Sequence, residues 1–168
     1  KITRRCLERR FFLVPSEALN QIIGYWLGVC LERHGLLLHA ACFMSNHLHL
    51  DVTDPRGVLP EFKTDFNAVL ARATNALRGR FDKVWSEDRP CDVRILSDHD
   101  LLPAMAYTLA NPVDAGLVKW GRRWPGFTTA GHAFGTKLEF QRPAFFFDQD
   151  NDHLPQTATL EVVRPNIY

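Results

Sequence analysis

Two histidines one residue apart, His47 and His49, lie in the run Ser45-Asn46-His47-Leu48-His49-Leu50-Asp51-Val52-Thr53. Such alternation of polar and apolar residues marks a strand, in which residues i and i+2 share a face. His47, His49 and Asp51 then line one face, while Leu48, Leu50 and Val52 turn into a core. Neutral imidazole is a common metal ligand, so the two rings, joined on that face by Asp51, could converge on a metal ion. A histidine pair by itself is more often an ordinary satisfied polar pair, and a third ligand and a reactive group are needed beside it. Asp51 has two readings: a carboxylate that orients an imidazole from behind, or an exposed strand residue.

The second constellation lies sixty residues on, in Met105-Ala106-Tyr107-Thr108-Leu109-Ala110-Asn111-Pro112-Val113-Asp114-Ala115-Gly116-Leu117-Val118. Tyr107 and Asn111 are four apart and share a helix face. If that face lies over the histidines, a phenol and an amide oxygen join the two imidazoles. A phenol of pKa about 10 is a weak nucleophile at neutral pH and needs an activated target. Asn111-Pro112 also reads as an N-cap and first position of a second short helix, and the proline predicts a break or kink at Asn111. Taken alone, Tyr107 is an ordinary core or surface tyrosine, with Tyr25 on the first helix and Tyr168 terminal.

The elements that must position these groups follow from periodicity and punctuation. Ile2 to Cys6 reads as an opening strand, followed by a basic connection through Arg9 and Arg10. Ser16 starts an amphipathic helix that Gly35 stops. Residues 36–44 and 47–53 form a hairpin around Ser45-Asn46, and Asp54-Pro55-Arg56-Gly57 closes it. A second helix spans 59–80 with Gly79 near its end, 81–90 is a loop carrying Trp85, 92–96 alternates as a strand, and Ser97 caps the third helix. This order predicts an α+β sandwich of ferredoxin-like kind, a mostly antiparallel sheet with helices on one face. Residues 1–130 form that domain. Residues 131–168, proline-bearing and acidic, are an extension packed on it, with Phe145, Phe146 and Phe147 as anchors.

The 168 residues, 46% hydrophobic and 23% charged, suit one globular domain. No apolar run approaches the ~18 residues of a membrane span, and the start is arginine-rich without a signal-peptide apolar region. The chain begins at Lys1 rather than Met, which leaves room for a short preceding strand. Its net charge of +1 says little about partners, but the charges are uneven. Lys1, Arg4, Arg5, Arg9 and Arg10 crowd the start, and Lys119, Arg122 and Arg123 cluster later. Both groups suit a polyanion, and both are equally what a solvated surface looks like. In Lys119-Trp120-Gly121-Arg122-Arg123-Trp124, cations alternate with aromatics, as for phosphate contacts with base stacking, or the tryptophans are core. Cys6, Cys30, Cys42 and Cys91 show no C-x-x-C spacing and read as reduced, buried thiols of a cytoplasmic protein.

Together, Phe43-Met44-Ser45-Asn46-His47-Leu48-His49-Leu50 and the tyrosine-bearing segment resemble the single-tyrosine HUH transposases, in particular the REP-associated tyrosine transposases. The resemblance spans roughly residues 1–130 in element order. It implies a bacterial cytoplasmic enzyme that acts on single-stranded or hairpin DNA as a monomer or homodimer. It also implies a divalent metal, Mg2+ or Mn2+, on His47, His49 and Asn111, and Tyr107 as the nucleophile that becomes linked to a 5′-phosphate. Arg4, Arg5, Arg9, Arg10, Lys119, Trp120, Arg122 and Arg123 are the candidate DNA contacts. The near-neutral charge and acidic tail depart from the basic surface such an enzyme would favour. Three other classes compete: a metal-dependent phosphodiesterase in which water attacks, a non-catalytic hairpin-binding protein, and a ferredoxin-like small-molecule domain.

Overall fold

Ser16 accepts a hydrogen bond from the Leu19 amide and Gly35 takes the left-handed conformation at φ 70°, so both ends of the first helix are fixed by the residues that sequence punctuation marks. In the computed structural model, which describes residues 1–87 and 91–166, the order is β1 (Ile2–Arg5), α1 (Glu17–His34), β2 (Leu37–Phe43), β3 (His47–Thr53), α2 (Leu59–Arg78), β4 (Cys91–Asp92), α3 (Asp98–Asp114), β5 (Lys137–Gln141) and β6 (Thr157–Glu161). The first four strands form one antiparallel sheet in the order β2-β3-β1-β4. This is the ferredoxin-like arrangement that the element order predicts.

Placing all the helices on one face describes α1 and α2. Leu48, Leu50, Ile2 and Phe43 point from the sheet into a cluster with Ile22, Ile23 and Leu27 of α1 and Phe62, Phe66 and Leu70 of α2. Phe62 and Phe66, one turn apart, stack at 5.7 Å, and Phe43 meets Phe66 edge-on at 6.1 Å. The third helix lies across the opposite face, where alternation along β3 has put the histidines. That opposition is what makes a site possible.

Four details depart from the sequence reading. The strand expected over 92–96 is the two-residue β4, whose Cys91 and Asp92 pair with Thr3 and Ile2 of β1, with Val93 N–H donating to the Lys1 carbonyl just beyond. The helix does not break at Pro112 but runs on to Asp114. Asn111 and Pro112 are both buried under it, and that packing outweighs the missing proline N–H. Cys91 is exposed, unlike the other three cysteines. Finally, the tail carries the β5–β6 hairpin, for which no strands were expected.

That hairpin lies against α1. A Cβ at Gly24 would come within 2.3 Å of the Phe140 ring, so the approach requires glycine in the helix. Phe147 is buried between Tyr25 and Trp26, at 5.0 and 5.8 Å between ring centroids, while Phe145 is exposed. Thr128 forms a bridge beside Cys42, and Val162 one beside Leu38, along the outer side of β2.

Candidate functional site

Strand alternation and one register decide what faces α3. β1 pairs with β3 so that Thr3 lies opposite His49 and Arg5 opposite His47. These four side chains therefore share the face that Leu48 and Leu50 leave. From α3, Asn111 reaches down between the imidazoles, with Oδ1 3.1 Å from His47 Nε2 and Nδ2 3.2 Å from His49 Nε2. The imidazole centroids are 4.9 Å apart, and the Tyr107 ring stands edge-on to His49 at 5.6 Å. Asn111 is 7% exposed and Tyr107 51% exposed, so the amide is enclosed and the phenol is open to a ligand. The cleft they line, of ≈ 390 Å³, is bordered by Thr3, Arg5, Arg9, Asn46, Asp114 and Ala115.

Burial holds the His47 imidazole below its usual pKa, against the hydrogen bond to Asn111 and with a smaller push from Arg5. His49 is held down to about 3, first by burial and then by the positive neighbours His47, Lys1 and Arg5. Both rings are thus neutral near pH 7, the form in which imidazole binds metal. Their Nδ1 atoms are engaged elsewhere: that of His47 lies 2.6 Å from Asn46 Oδ1, and that of His49 lies 3.0 Å from Thr3 Oγ1. Both Nε2 atoms consequently face the Asn111 amide.

This donor set fits a small divalent cation. Two nitrogens and an amide oxygen already converge within hydrogen-bond distance, and each imidazole is steadied at its far nitrogen, as metal-binding histidines usually are. Among the described residues no group of three or more His, Cys, Asp and Glu side chains is arranged to hold a metal, so a third ligand beside the two histidines would have to be of another kind, such as the Asn111 amide oxygen.

Asp51 is 1% exposed, so the exposed-carboxylate reading fails. The orienting reading fails too, since the Nδ1 atoms are met by Asn46 and Thr3. Asp51 faces Lys1, whose Nζ lies 3.8 Å from its Oδ1, and burial raises its pKa against the pull of Thr108 and Lys1. The Lys1 ammonium also donates to the Ala104 carbonyl and to Thr108 Oγ1, and stands 4.7 Å from the centre of the Tyr107 ring. It ties the tyrosine's helical turn to the sheet.

The described chain matches no protein-family model and no curated protein. A solved structure does match it: a REP-associated tyrosine transposase bound to a REP hairpin, at a TM-score of 0.60 and 20% identity, over 76% of this chain and 73% of that one. The likeness is one of fold. Among the described residues no helix is long and apolar enough to cross a membrane.

The candidate DNA contacts separate into groups. Arg5 and Arg9 border the cleft. Arg4, on the other face of β1, stands 5.9 Å from the Trp85 ring, and Arg10 pairs with Glu8 in solvent. Lys119, Trp120, Arg122 and Arg123 follow α3 and lie outside the cleft lining, with a short 3-10 turn (Gly121–Arg123) pressed onto the helix so that a Cβ at Gly121 would come within 2.4 Å of the Leu109 carbonyl. The two tryptophans, for which core and stacking roles were evenly balanced, divide. Trp120 is 55% exposed, whereas Trp124 donates to the Phe43 carbonyl at 2.8 Å. Thr3, Asn46 and Lys1 escaped the sequence reading as site residues. The alternation of Ile2-Thr3-Arg4-Arg5 was visible, but not the register that puts Thr3 and Arg5 on the histidines.

Proposed function

We propose that this protein cuts and rejoins single-stranded DNA, with Tyr107 as the nucleophile and His47, His49 and Asn111 as ligands of a divalent metal, Mg2+ or Mn2+. The observation that carries the reading is that an exposed tyrosine stands one helical turn from an amide enclosed between two neutral imidazoles, in a cleft bordered by arginines. The matching solved transposase is bound to a REP hairpin, which favours hairpin-bearing DNA as the substrate class here.

The metal would polarise a phosphate oxygen and offset the charge gained in an in-line displacement. The remaining work belongs to the chain. Arg5 and Arg9 hold the phosphodiester by charge-assisted contacts. Lys1, against the Tyr107 ring, restricts where the phenol points. The Tyr107 oxygen gives up its proton and bonds to phosphorus, while the bond from phosphorus to the 3′ oxygen breaks and that oxygen leaves as a 3′-hydroxyl. The 5′-phosphate stays on Tyr107 as a diester, so its bond energy is kept for attack by another 3′-hydroxyl, which returns the phenol.

Incubation with single-stranded hairpin DNA and Mn2+, read on a denaturing gel, tests the mechanism. A protein–DNA adduct is expected with the wild type and none with Tyr107→Phe, which keeps the ring and loses one oxygen. Cutting by the Phe variant, abolished by His47→Ala, would show a water-attack phosphodiesterase instead. Hairpin binding without any cutting would mark a binding protein.

A further inference from the structure

Asn46 sits in the turn between β2 and β3, beside His47. Its Nδ2 donates to the Arg9 carbonyl at 3.2 Å, and because that carbonyl only accepts, the orientation of the amide is set. Its Oδ1 then lies 2.6 Å from His47 Nδ1. An amide oxygen is also only an acceptor, so Nδ1 must carry the hydrogen, and in a neutral ring the lone pair is left on Nε2, the nitrogen that faces Asn111.

We propose that Asn46 is a positioning residue that locks His47 in the Nδ1–H tautomer and thereby presents Nε2 as the ligand atom, an inference that rests on the metal-binding reading of His47 above. The lock is held at its far end by unusual backbone. Glu8 and Arg9 both take left-handed conformations, at φ 51° and 54°, which residues other than glycine seldom adopt. Those conformations aim the Arg9 carbonyl at Asn46. The same turn is clasped to the hairpin by Cys6 N–H donating to the Asn46 carbonyl and Leu13 N–H donating to the Ser45 carbonyl, both at 2.8 Å. His49 has a different arrangement, since the Thr3 hydroxyl at its Nδ1 can donate or accept and so suits either tautomer. At Nδ1, then, the partner of His47 allows one tautomer and the partner of His49 allows both.

The test begins without metal. In histidine-labelled protein kept in EDTA, two-bond proton–nitrogen NMR correlations should place the hydrogen of His47 on Nδ1. In Asn46→Ala it should move to Nε2, where the Asn111 oxygen accepts it. Titration with Mn2+ should then show about 10- to 100-fold weaker binding by Asn46→Ala, and near wild-type binding by Asn46→Asp, which keeps an acceptor at Nδ1. An unchanged His47 tautomer in Asn46→Ala overturns the proposal, even if the melting temperature falls, because a merely structural turn residue would lower stability without moving the ring proton. Equal Mn2+ affinity in wild type and Asn46→Ala, with His47→Ala abolishing binding, overturns it as well. If Asn46→Ala shifts the tautomer but the wild type takes up no Mn2+, the tautomer lock by Asn46 stands and the metal reading of His47 falls.

Discussion

The side-chain oxygen of Asn111 lies 3.1 Å from Nε2 of His47, joining α3 to a strand 64 residues earlier in the chain. Replacing Asn111 with Leu keeps the volume and removes both polar contacts to the imidazoles. We expect the metal-free variant to lose about 1–3 kcal/mol, since the buried Nε2 of His49 loses the amide N–H that faces it. Mn2+ affinity should fall together with adduct formation, while Asn111→Asp, which keeps an oxygen, retains metal binding. Urea unfolding and Mn2+ titration of the same samples check both halves, and undiminished Mn2+ affinity in the Leu variant would remove Asn111 from the ligand set.

Arg5 and Arg9 border the cleft, and Arg10 pairs with Glu8 in solvent. Loss of one phosphate contact lowers the slope of log affinity against log salt by about 0.7 for a single strand. Arg5→Ala and Arg9→Ala should each show that change with hairpin DNA carrying a single-stranded flank, and Arg10→Ala should not. Fluorescence anisotropy at several salt concentrations reads the slopes. Three identical slopes would place the DNA elsewhere.

Metal-free stability should fall with acid, and His49 should account for part of it. Its unfolded imidazole takes a proton below about 6.5, whereas the folded one refuses it down to about 3. The unfolded state therefore binds the extra proton between those values, and folding loses about 1.4 kcal/mol per pH unit through that window. The contribution is complete above 6.5 and declines below it. His49→Gln, compared with wild type by urea unfolding in EDTA at pH 7 and pH 5, should show a flatter dependence. A parallel decline in both proteins would mean that His49 titrates normally.

Phe147 fills the gap between Tyr25 and Trp26. Phe147→Ala should cost about 3–5 kcal/mol through lost burial and the cavity left behind. Limited proteolysis should then cut first within 143–156, between β5 and β6. Phe145→Ala, at an exposed position, should cost under about 0.5 kcal/mol and leave the digestion pattern unchanged.

Much of the sheet and helix order was legible because the chain marks its own boundaries. Ser16, Gly35 and Gly79 fall where helices start and stop, and the alternation from His47 to Thr53 coincides with β3. The pairing of Tyr107 with Asn111 followed from helical spacing alone. What stayed hidden depends on partners rather than on local pattern. Asp92-Val93-Arg94-Ile95-Leu96 alternates as well as a strand does, but of these residues Asp92 alone is paired in the sheet, opposite Ile2. Pro112 argued for a break that buried packing overrode. Lys137-Leu138-Glu139-Phe140-Gln141 and Thr157-Ala158-Thr159-Leu160-Glu161 both alternate, and β5 and β6 lie there, yet prolines and acidic residues around them drew the reading toward an irregular tail. Asn46 looked like a turn residue and nothing more, because what it does depends on a carbonyl 37 residues away.

The two bridges along the outer side of β2 bear on how copies of this chain can meet. Thr128 pairs there from one end, with Phe43 N–H donating to the Phe127 carbonyl and Thr129 N–H to the Ala41 carbonyl; Val163 N–H donates to the Leu38 carbonyl at the other. A sheet margin left bare is a template for strand addition by a neighbour and for aggregation. Here the chain's own later segments occupy it. Self-association by continuing the sheet through β2 is therefore blocked unless those segments peel away, and any stable dimer must be built on a different surface.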